Sequence, residues 1–474
     1  MVKPLHVGVL AIVIGIVCLG YDTGAASFVS DSHLEVKAEP ETVAAASPGS
    51  LAEPETAPQP AGRVNPSGPP SMPVSETAAK ADAALGAAPA PSSRIPADHW
   101  LVGTSDAPDM VPAVIAPEAP RLLLAEEGDA YLERIGDSRV LHLKGSYREM
   151  GRQHGVLLKE EILAGANLIK IIGAVAWKKD YQASIREAWT RTSPFIPQKY
   201  KDEMAGLAEA VGLSEEDVQN FTIFPELFHC SGFAVWGKAT EGGVLLHGRV
   251  LDYMRDAGMD RYALVIVHEP EGGNAFVNIG YSGMLGSVTG MNVKRVAVGE
   301  MGGGGGEKWD GMPMSLLVRE CLEKADTMEQ VRQIMTDTPR TCQYYYCVSD
   351  SKADNGRGSA FGVAAEPDRI DFIGPGEAHP LLPRPFKDVV LMSAGDRYRC
   401  LADRVEKMYG RITPGVALDI MSRGVAMKSN MHNALFKPDT LEFWVANSTV
   451  QEPASNRPYV HYDLKELMKG KPSP

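Results

Sequence analysis

The sequence predicts an α+β fold, with helices before Cys230 and strands directly after it. Apolar residues recur at three- and four-residue intervals from Tyr147 to Ile172, which is typical of one face of a helix. After Cys230 the pattern changes to β-like segments at Ser231–Trp236 and Val244–Val250, separated by a turn that contains two glycines. Helical and strand segments in this order indicate an α+β domain.

The amino-terminal residues 1–26 are predicted to be a secretory signal peptide. Lys3 precedes an uncharged apolar run from Val7 to Leu19, and Gly24, Ala25 and Ala26 supply small residues for cleavage. The run is shorter than the roughly 17–25 residues that a bilayer-spanning helix needs. The alternative is an uncleaved membrane anchor. We expect an exported protein that is periplasmic, secreted or held at the cell surface.

Residues 27–118 are predicted to be a disordered Ala/Pro-rich linker. Residues 29–99 contain no Phe, Tyr or Trp and are rich in Ala, Pro, Glu and Ser. Such a segment cannot bury enough apolar surface to offset the entropy of ordering its backbone. The folded domain is therefore expected to begin near residue 119.

Residues 119–229 are predicted to be helical. The prolines of Ser193–Pro197 break the first helical pattern, because proline lacks an amide donor. Two further helices are expected at Lys199–Val211 and Ser214–Phe221, with Ser214 as the N-cap and Asp217 at the capping-box position.

Strands and helices alternate again between Cys230 and residue 466. The segment Glu269–Gly273 is typical of a hairpin between strands Ala263–His268 and Ala275–Ile279. The remaining expected elements are strands at Arg295–Val298, Gln343–Ser349, Phe361–Ala365 and Val389–Ser393, and helices at Pro313–Leu322 and Met328–Met335.

Composition excludes several classes of function. The formal net charge is −13, and no basic run suggests nucleic-acid binding. No Cys-x-x-Cys or His-x-x-x-His spacing suggests a metal site, so we expect neither metal nor cofactor. The glycine-rich run Gly302–Lys308 lacks the phosphate-loop pattern and is expected to be a flexible surface or gating loop. Four further cysteines could form any of three pairings or stay unpaired, namely Cys321, Cys342, Cys347 and Cys400.

Several motifs in order resemble one enzyme family over about residues 140–465. These motifs are Cys230–Thr240, His247–Tyr253, Gly145–Gly155, Tyr200–Ser214, Thr289–Asn292 and Phe443–Asn447. Together they resemble the isopenicillin-N acyltransferase-like (acyl-coenzyme A:6-aminopenicillanic-acid acyltransferase-like) cysteine Ntn-hydrolases, enzymes whose nucleophile is the first residue of a processed chain. The resemblance implies a four-layer αββα sandwich, with residues 119–229 as the propeptide part and 230–466 as the catalytic part.

The resemblance also implies self-cleavage between His229 and Cys230. Cys230 would then provide both a thiol nucleophile and a free α-amine as base. An ordinary α-amine has a pKa of about 7.7–8.0, so part of it is unprotonated near neutral pH. A single cysteine beside aromatic residues is otherwise a common buried apolar residue.

Four further residues are assigned roles by the resemblance. Asp252 would hold the α-amine and Arg249 would lie near the thiol. Asn292 would donate to the oxyanion, with Asn447 as a tentative second donor. The ordinary alternatives are a salt bridge at a strand end and an asparagine required by a turn. Because Arg249 and Asp252 are three residues apart, a straight strand would point them to opposite faces. If both serve Cys230, the chain must bend or bulge between them.

One segment departs from the family pattern. Where the family often has a second asparagine, this chain has Ser393–Tyr398, and an ionised Asp396 would repel an oxyanion. His247 and His432 are left outside the catalytic set: His247 is expected to be a satisfied strand residue, and His432 either lines the pocket or packs.

The expected function is hydrolysis or transfer of acyl groups at amide or thioester bonds. The expected partners are a small acyl-amide or acyl-thioester substrate and the chain's own propeptide fragment, retained as a heterodimer. Nucleic acid is not expected, and a membrane would be contacted only through an amino-terminal anchor. Two alternatives remain open: a catalytically inactive exported binding module on the same scaffold, and an acyl hydrolase that is never cut. Substrate identity, and the choice between hydrolase and acyltransferase, also remain open.

Overall fold

A computed structural model describes residues 109–176, 181–223, 229–253, 255–302, 308–380 and 382–472. The predicted signal peptide, most of the predicted linker and the centre of the glycine-rich run lie outside the described residues. Among the residues described, no helix has the length and apolar character needed to cross a bilayer.

The strands form two sheets. The first has ten strands in the order β1-β2-β3-β6-β7-β8-β9-β10-β11-β12, and the second has six in the order β13-β4-β5-β14-β15-β16. The strands are β1 Arg121–Glu127, β2 Ala130–Ile135, β3 Ser138–Gly145, β4 His229–Val235, β5 Leu246–Asp252, β6 Ala263–Pro270, β7 Phe276–Tyr281, β8 Thr289–Asn292, β9 Val296–Gly302, β10 Tyr344–Asp350, β11 Ser359–Ala365, β12 Ile370–Ile373, β13 Val389–Met392, β14 Asn430–Lys437, β15 Glu442–Asn447 and β16 Val460–Asp463.

The α-helices lie between these strands in the sequence. They are α1 Tyr147–Leu157, α2 Lys159–Ala176, α3 Tyr181–Thr192, α4 Gln198–Val211, α5 Glu215–Ile223, α6 Met314–Lys324, α7 Met328–Asp337, α8 Gly395–Met408, α9 Pro414–Ile420 and α10 Leu464–Leu467. Residues Ala353–Gly356 form a short turn in which Asp354 and Asn355 have positive φ.

The layers follow the order helix, sheet, sheet, helix. Strands β4 and β5 of the smaller sheet pack on β9, and β13 packs on β10 and β11. Helices α1, α6 and α7 cover strands of the larger sheet, whereas α8 and α9 cover β13, β5 and β14 of the smaller one. This is the αββα layering that the resemblance implies, and the apolar core fills the space between the layers.

The region before Cys230 is less helical than the sequence suggested. It contributes β1–β3 to the larger sheet, and β3 pairs in parallel with β6 from beyond Cys230. The predicted helix Tyr147–Ile172 is two helices, α1 and α2, that meet at Leu158. Apolar residues continue at helical spacing across the junction, so periodicity alone does not detect the break. Helix α3 was not predicted.

Two other predicted boundaries can be compared with the structure. The linker was predicted to run to residue 118, but Ile115 bridges to Tyr459 and the Ala113 N–H donates to Asp419 at 2.7 Å. The folded part therefore begins earlier than predicted. Ser214 does cap α5, since its hydroxyl accepts from the Asp217 N–H at 3.3 Å and donates to the Asp217 carboxylate at 2.8 Å.

Helices α1 and α4 touch backbone to backbone. A Cβ on Gly151 would lie 2.0 Å from the Glu203 carbonyl oxygen, and one on Gly206 would lie 2.1 Å from the Arg148 carbonyl oxygen. Only glycine fits such a contact. The glycine-spaced segment Gly145–Gly155 thus has a structural explanation in this crossing.

Candidate active site

Cys230 is the second residue of β4 and pairs with Leu251 of β5. Its side chain is only 3% exposed. Because opposed residues in antiparallel strands share a face and Arg249 opposes Gly232, the Cys230 and Arg249 side chains lie on the same face. That face is turned toward the larger sheet, where Met301 of β9 packs on Gly232.

Arg249 contacts the thiol directly. Its Nη2 donates to Cys230 Sγ at 3.1 Å and to the Glu300 carbonyl oxygen at 2.9 Å, and its Nε donates to the same carbonyl at 3.1 Å. The nearest Glu300 carboxylate oxygen is 3.5 Å away. Burial raises the pKa of the Cys230 thiol to about 11, although the Arg249 charge favours the thiolate and opposes that rise.

His432 orients the other end of Arg249. The guanidinium Nη1 lies 3.2 Å from His432 Nε2, and since arginine can only donate, Nε2 must be the acceptor. Nδ1 then carries the proton and donates to the Tyr281 hydroxyl at 3.1 Å. Burial holds the pKa of His432 well below its usual value, so the ring stays neutral. His432 therefore positions Arg249 and does not merely pack.

Asp252 lies on the opposite face of β5. Its Oδ2 accepts from Arg397 Nη1 at 2.8 Å and its Oδ1 accepts from the Met427 N–H at 2.9 Å. Burial raises the pKa of Asp252 to about 6, against the opposing effect of these hydrogen bonds and of Arg397. The Asp252 charge also raises the pKa of the Cys230 thiol, so the two groups are close enough to interact.

The bend or bulge predicted between Arg249 and Asp252, if both serve Cys230, is absent from β5. Strand β5 pairs with β4 from Leu246 to Asp252 without a register shift, and the irregularity lies instead in β14, between Asn430 and His432. Alternation along a regular strand sends Arg249 and Asp252 to different faces. The Cys230 peptide nitrogen lies in the plane of the sheet. The thiol and Arg249 lie on one side of that plane, and Asp252 lies on the other.

The segment Ser393–Tyr398, which departs from the family pattern, places two side chains beside Ser231 at the start of β4. Ser393 Oγ lies 2.7 Å from Ser231 Oγ, and Arg397 Nη1 lies 3.4 Å from the same Ser231 oxygen. Asp396 does not approach them. It pairs with Arg399, and its side chain is 88% exposed. The Asp396 carboxylate therefore faces solvent and is not placed to repel an oxyanion at this strand end.

The structure does not support Asn292 as an oxyanion donor. Its amide donates to the Leu322 and Ala325 carbonyls at 2.9 and 2.8 Å, and its oxygen accepts from the N–H groups of Lys294 and Val296. These partners lie on the α6 side of the larger sheet, away from β4. These contacts fit the alternative interpretation, in which Asn292 stabilises a turn.

Asn447 is also too far from the thiol. It ends β15 and opposes His432 of β14. Strand β15 is three positions from β4 in the sheet, which corresponds to about 14 Å at the usual strand spacing. A hydrogen bond from Asn447 to an oxyanion on Cys230 is therefore excluded by distance. His247 is a buried strand residue, as expected, but its side chain is only half satisfied: Nδ1 bonds Ser349 Oγ at 2.8 Å, whereas Nε2 has no hydrogen-bond partner among the described residues.

Sequence reasoning did not assign roles to Glu300, Arg397 or His432. A signal existed for Glu300, because a glutamate in the apolar segment Val296–Gly302 is buried only when its partner is nearby. For Arg397 and His432 the partners come from distant strands and helices, so spacing along the chain could not indicate them.

An apolar cavity of about 50 Å³ adjoins the thiol site. Leu251, the residue opposite Cys230, lines it, as does Tyr281, whose pKa is raised by burial and also by the Cys230 charge. The remaining walls come mainly from α2, α5 and the segment after β5: Gly165, Ile169, Phe221, Tyr253, Met259, Tyr262, Ser282, Met284 and Val288.

The other cysteines in the described chain are buried and not disulfide-bonded. Of the two interpretations, the structure thus favours the one without disulfides, with Cys321, Cys347 and Cys400 as unpaired thiols. Burial raises the pKa of Cys347 far above its usual value, and no positive charge opposes this effect as Arg249 does at Cys230. Within the described ranges, no cluster of His, Cys, Asp and Glu is arranged to hold a metal ion.

Residues 239–358 match the family model for acyl-coenzyme A:6-aminopenicillanic acid acyl-transferase. This match confirms the family resemblance inferred from the motifs. The chain is 26% identical over 380 residues to protein dcd1B of Dictyostelium discoideum, covering 71% of this chain and 74% of that protein. It is 25% identical over 183 residues to an N-acylethanolamine-hydrolyzing acid amidase of Mus musculus, covering 36% of this chain and 49% of that protein.

Solved structures show a weaker likeness. The Caenorhabditis elegans ortholog of N-acylethanolamine-hydrolyzing acid amidase aligns with a TM-score of 0.36 at 13% identity, covering 44% of this chain and 93% of that one. Penicillin V acylase from Agrobacterium tumefaciens aligns with a TM-score of 0.34 at 10% identity, covering 52% and 89%.

Proposed function

From this family resemblance, we propose that the protein is a self-cleaving cysteine Ntn-hydrolase that hydrolyses or transfers acyl groups at amide or thioester bonds. The observation that carries the proposal is the 3.1 Å hydrogen bond from Arg249 Nη2 to the Cys230 thiol at the start of β4. A guanidinium at that distance favours the thiolate, which is the nucleophilic form.

Self-cleavage is the first step. Cys230 Sγ attacks the His229 carbonyl carbon, the bond from that carbon to the Cys230 nitrogen breaks, and a thioester forms while the nitrogen gains a proton. Water then hydrolyses the thioester, which leaves a carboxylate on His229 and a free thiol and α-amine on Cys230. Asp252 lies on the side of β5 from which it can hold that new amine.

Acyl transfer follows on the processed chain. The α-amine takes the thiol proton as Sγ attacks the substrate carbonyl, and the amine or thiol leaving group departs with a proton. The acyl group on Sγ then passes to water or to an amine. The apolar cavity beside Leu251 and Tyr281 supports an apolar acyl group in the substrate.

One observation favours the inactive binding module as a second candidate. Neither Asn292 nor Asn447, the two asparagines predicted as oxyanion donors, reaches Cys230. A thiol-reactive acyl-amide probe separates the candidates. The enzyme should be trapped at Cys230, whereas a scaffold without activity should leave Cys230 unlabelled while binding the probe reversibly.

The mass of the purified protein distinguishes an acyl hydrolase that is never cut from the proposed self-cleaving enzyme. The purified wild-type chain should give two fragments separated at His229/Cys230, and Cys230→Ala should give a single chain without activity. Cys347→Ala is the matched control, because Cys347 is also a buried strand cysteine but lacks an arginine partner. Two fragments from Cys230→Ala, or activity in an uncut wild-type chain, would contradict self-processing.

We also propose export through residues 1–26 and retention of both fragments after cleavage. Retention is supported by the pairing of β3 with β6 across the cleavage point and by the Arg319–Glu203 ion pair at 2.6 Å, which joins α6 to α4. Size-exclusion chromatography of the cleaved protein should give one species that contains both fragments. Detection of Lys3–Gly20 in mature, membrane-bound protein would instead support the anchor.

A further inference from the structure

Buried side chains form a continuous series of hydrogen bonds from the apolar cavity to the Cys230 thiol. Tyr281 ends β7 and lines the cavity, and its hydroxyl lies 3.1 Å from His432 Nδ1. His432 Nε2 lies 3.2 Å from Arg249 Nη1, and Arg249 Nη2 donates to Cys230 Sγ at 3.1 Å. Tyr281 is 8% exposed, and His432 and Arg249 are fully buried. These groups therefore depend on one another, and not on bulk solvent, for their hydrogen bonds.

Thr289 competes with Arg249 for His432. It begins β8 and is fully buried, and its Oγ1 lies 3.2 Å from the same nitrogen, His432 Nε2. A threonine hydroxyl can donate or accept a hydrogen bond, whereas a guanidinium can only donate. Thr289 is thus compatible with either neutral form of the imidazole, and Arg249 with only one of them.

The two neutral tautomers of His432 therefore place Arg249 differently. With the proton on Nδ1, the ring donates to the Tyr281 hydroxyl and Nε2 accepts from Arg249. With the proton on Nε2, the ring donates to Thr289 and presents a donor to the Arg249 N–H groups, so the contact with Arg249 is lost. The first tautomer is the one that holds Arg249 beside the thiol.

The Tyr281 hydroxyl is the acceptor that the first tautomer requires. Among the described residues, no other group accepts from His432 Nδ1. Phenylalanine at position 281 would leave that N–H buried without a partner, which is unfavourable. In the other tautomer, the ring N–H keeps Thr289 as its acceptor. Loss of one oxygen atom from Tyr281 thus favours the tautomer that releases Arg249.

We propose that Tyr281 is a positioning residue for the reaction at Cys230. Its hydroxyl selects the His432 tautomer that holds Arg249 against the thiol, and its ring forms part of the wall of the apolar cavity. This inference rests on the proposed function, in which the Cys230 thiolate attacks the substrate. One side chain thereby links the acyl cavity to the arginine that activates the nucleophile.

Tyr281→Phe tests the inference on the purified full chain, because it removes the hydroxyl and keeps the ring. Iodoacetamide labelling of Cys230 should slow about tenfold, as expected when one charge-assisted hydrogen bond to the thiolate is lost. With an acyl-amide substrate, kcat should fall by a similar factor while KM stays near the wild-type value, since the cavity wall is retained. A labelling rate equal to that of the wild type would overturn the inference.

Tyr459→Phe is the matched control. Tyr459 is also buried, and its hydroxyl accepts from Asn433 at 2.8 Å, next to His432 in β14. Both variants lose a buried hydrogen bond of the same kind, so both should lower the midpoint of thermal unfolding by similar amounts. Only Tyr281→Phe should slow the labelling of Cys230. Equal slowing in the two variants would assign the effect to general loosening of β14 and would refute the positioning role.

A second substitution tests the tautomer directly. Thr289→Val removes the acceptor that the Nε2–H tautomer needs, so the double variant Tyr281→Phe/Thr289→Val should recover most of the labelling rate that Tyr281→Phe loses. Nitrogen NMR of protein with isotope-labelled histidine should show the His432 proton move from Nδ1 to Nε2 in Tyr281→Phe and return in the double variant. A double variant no faster than Tyr281→Phe, or a proton that stays on Nδ1 in Tyr281→Phe, would contradict the inference.

The labelling and NMR measurements need no turnover, so they separate this inference from the proposed function. A wild-type chain that never turns over an acyl amide would contradict the proposed function. Unchanged labelling in Tyr281→Phe, in a wild type that does turn over, would contradict the positioning role alone.

Discussion

Two arginines, Arg319 and Arg249, are both fully buried, but they are held in opposite ways. Arg319 of α6 is saturated by carboxylates, with Glu323 at 2.7 Å and Glu203 at 2.6 Å. Arg249 of β5 bonds a carbonyl, a neutral histidine and the Cys230 thiol, and its nearest carboxylate oxygen is 3.5 Å away. A guanidinium whose charge is neutralised by carboxylates, as in Arg319, joins helices. A guanidinium without a close carboxylate, as in Arg249, can stabilise the thiolate of a neighbouring cysteine.

The comparison also shows which parts of the chain depend on each other. Glu203 lies in α4, before the proposed cleavage point, and Arg319 lies after it, so their ion pair connects the two fragments. The Arg249 contacts lie entirely after that point, in β4, β9 and β14. Substitutions in the Arg319 cluster should therefore weaken the association of the two fragments. Substitutions among the Arg249 contacts should instead change the reactivity of the Cys230 thiol.

The largest expected effect is that of Arg319→Met on stability. Removing the guanidinium leaves Glu203 buried without its cation, whereas Glu323 keeps Lys199 at 2.7 Å. The unpaired Glu203 should lower the free energy of unfolding by about 3–5 kcal/mol. Urea unfolding followed by circular dichroism measures the change. Arg357→Met is the matched control, because Arg357 is 72% exposed and pairs with the exposed Asp354, and its effect should stay within about 0.5 kcal/mol. Equal midpoints for the two variants would mean that the buried cluster does not hold the helices together.

Arg249→Lys should change chemistry more than stability. Lysine keeps the charge but cannot bond the thiol, the Glu300 carbonyl and His432 together. Losing one charge-assisted hydrogen bond to Sγ should slow self-cleavage and iodoacetamide labelling of Cys230 by about 10- to 100-fold. Labelling is measured by peptide mass spectrometry, with the exposed Arg357→Lys as the control. A variant that is labelled and cleaved at the wild-type rate would show that Arg249 does not activate the thiol.

The smallest expected effect is the pH dependence set by Asp252. Its pKa is about 6 because burial disfavours the charged carboxylate. The ionised form is the one that holds the α-amine of the processed chain, so the rate of acyl transfer should fall as pH drops below about 6. Stability changes in the opposite direction: a carboxyl whose pKa rises on folding contributes stability that is lost as pH increases from about 4 to about 6.

Asp252→Asn is the variant that checks this assignment. The amide does not titrate, so both the inflection in the acyl-transfer rate and the stability change near pH 6 should disappear. The measurement is a series of acyl-transfer rates of the processed protein and urea midpoints between pH 4 and pH 8. An inflection that persists in Asp252→Asn would assign the titration to another group.

The sequence predicted most of the elements from Cys230 to β13 because local patterns determine them. The hairpin between β6 and β7 and helix α6 follow from turn residues and helical spacing, and both agree with the structure within two residues. Strands β1–β3 were missed although β1–β2 and β2–β3 are local hairpins with Gly128-Asp129 and Gly136-Asp137 turns. Only the parallel pairing of β3 with β6 joins them to strands from beyond Cys230.

The site was predictable only in part, for a related reason. The proximity of Arg249 to Cys230 follows from two adjacent strands, and the motif indicated it. Asn292 was misassigned because its hydrogen-bond partners, Leu322 and Ala325, come from α6 and its end, and they engage the amide on the other face of the sheet. His432 and Arg397 reach the site from the last third of the chain, so only the three-dimensional fold brings them together.

The most direct test of the central claim is the mass of the acylated protein. The purified chain is mixed with a slowly turned-over acyl amide, quenched in acid and analysed as intact fragments. We predict that the fragment beginning at Cys230 gains one acyl group, that hydroxylamine removes it, and that Cys230→Ala gains none. An acyl group on any other residue, or full turnover by a chain still continuous from His229 to Cys230, would contradict the account.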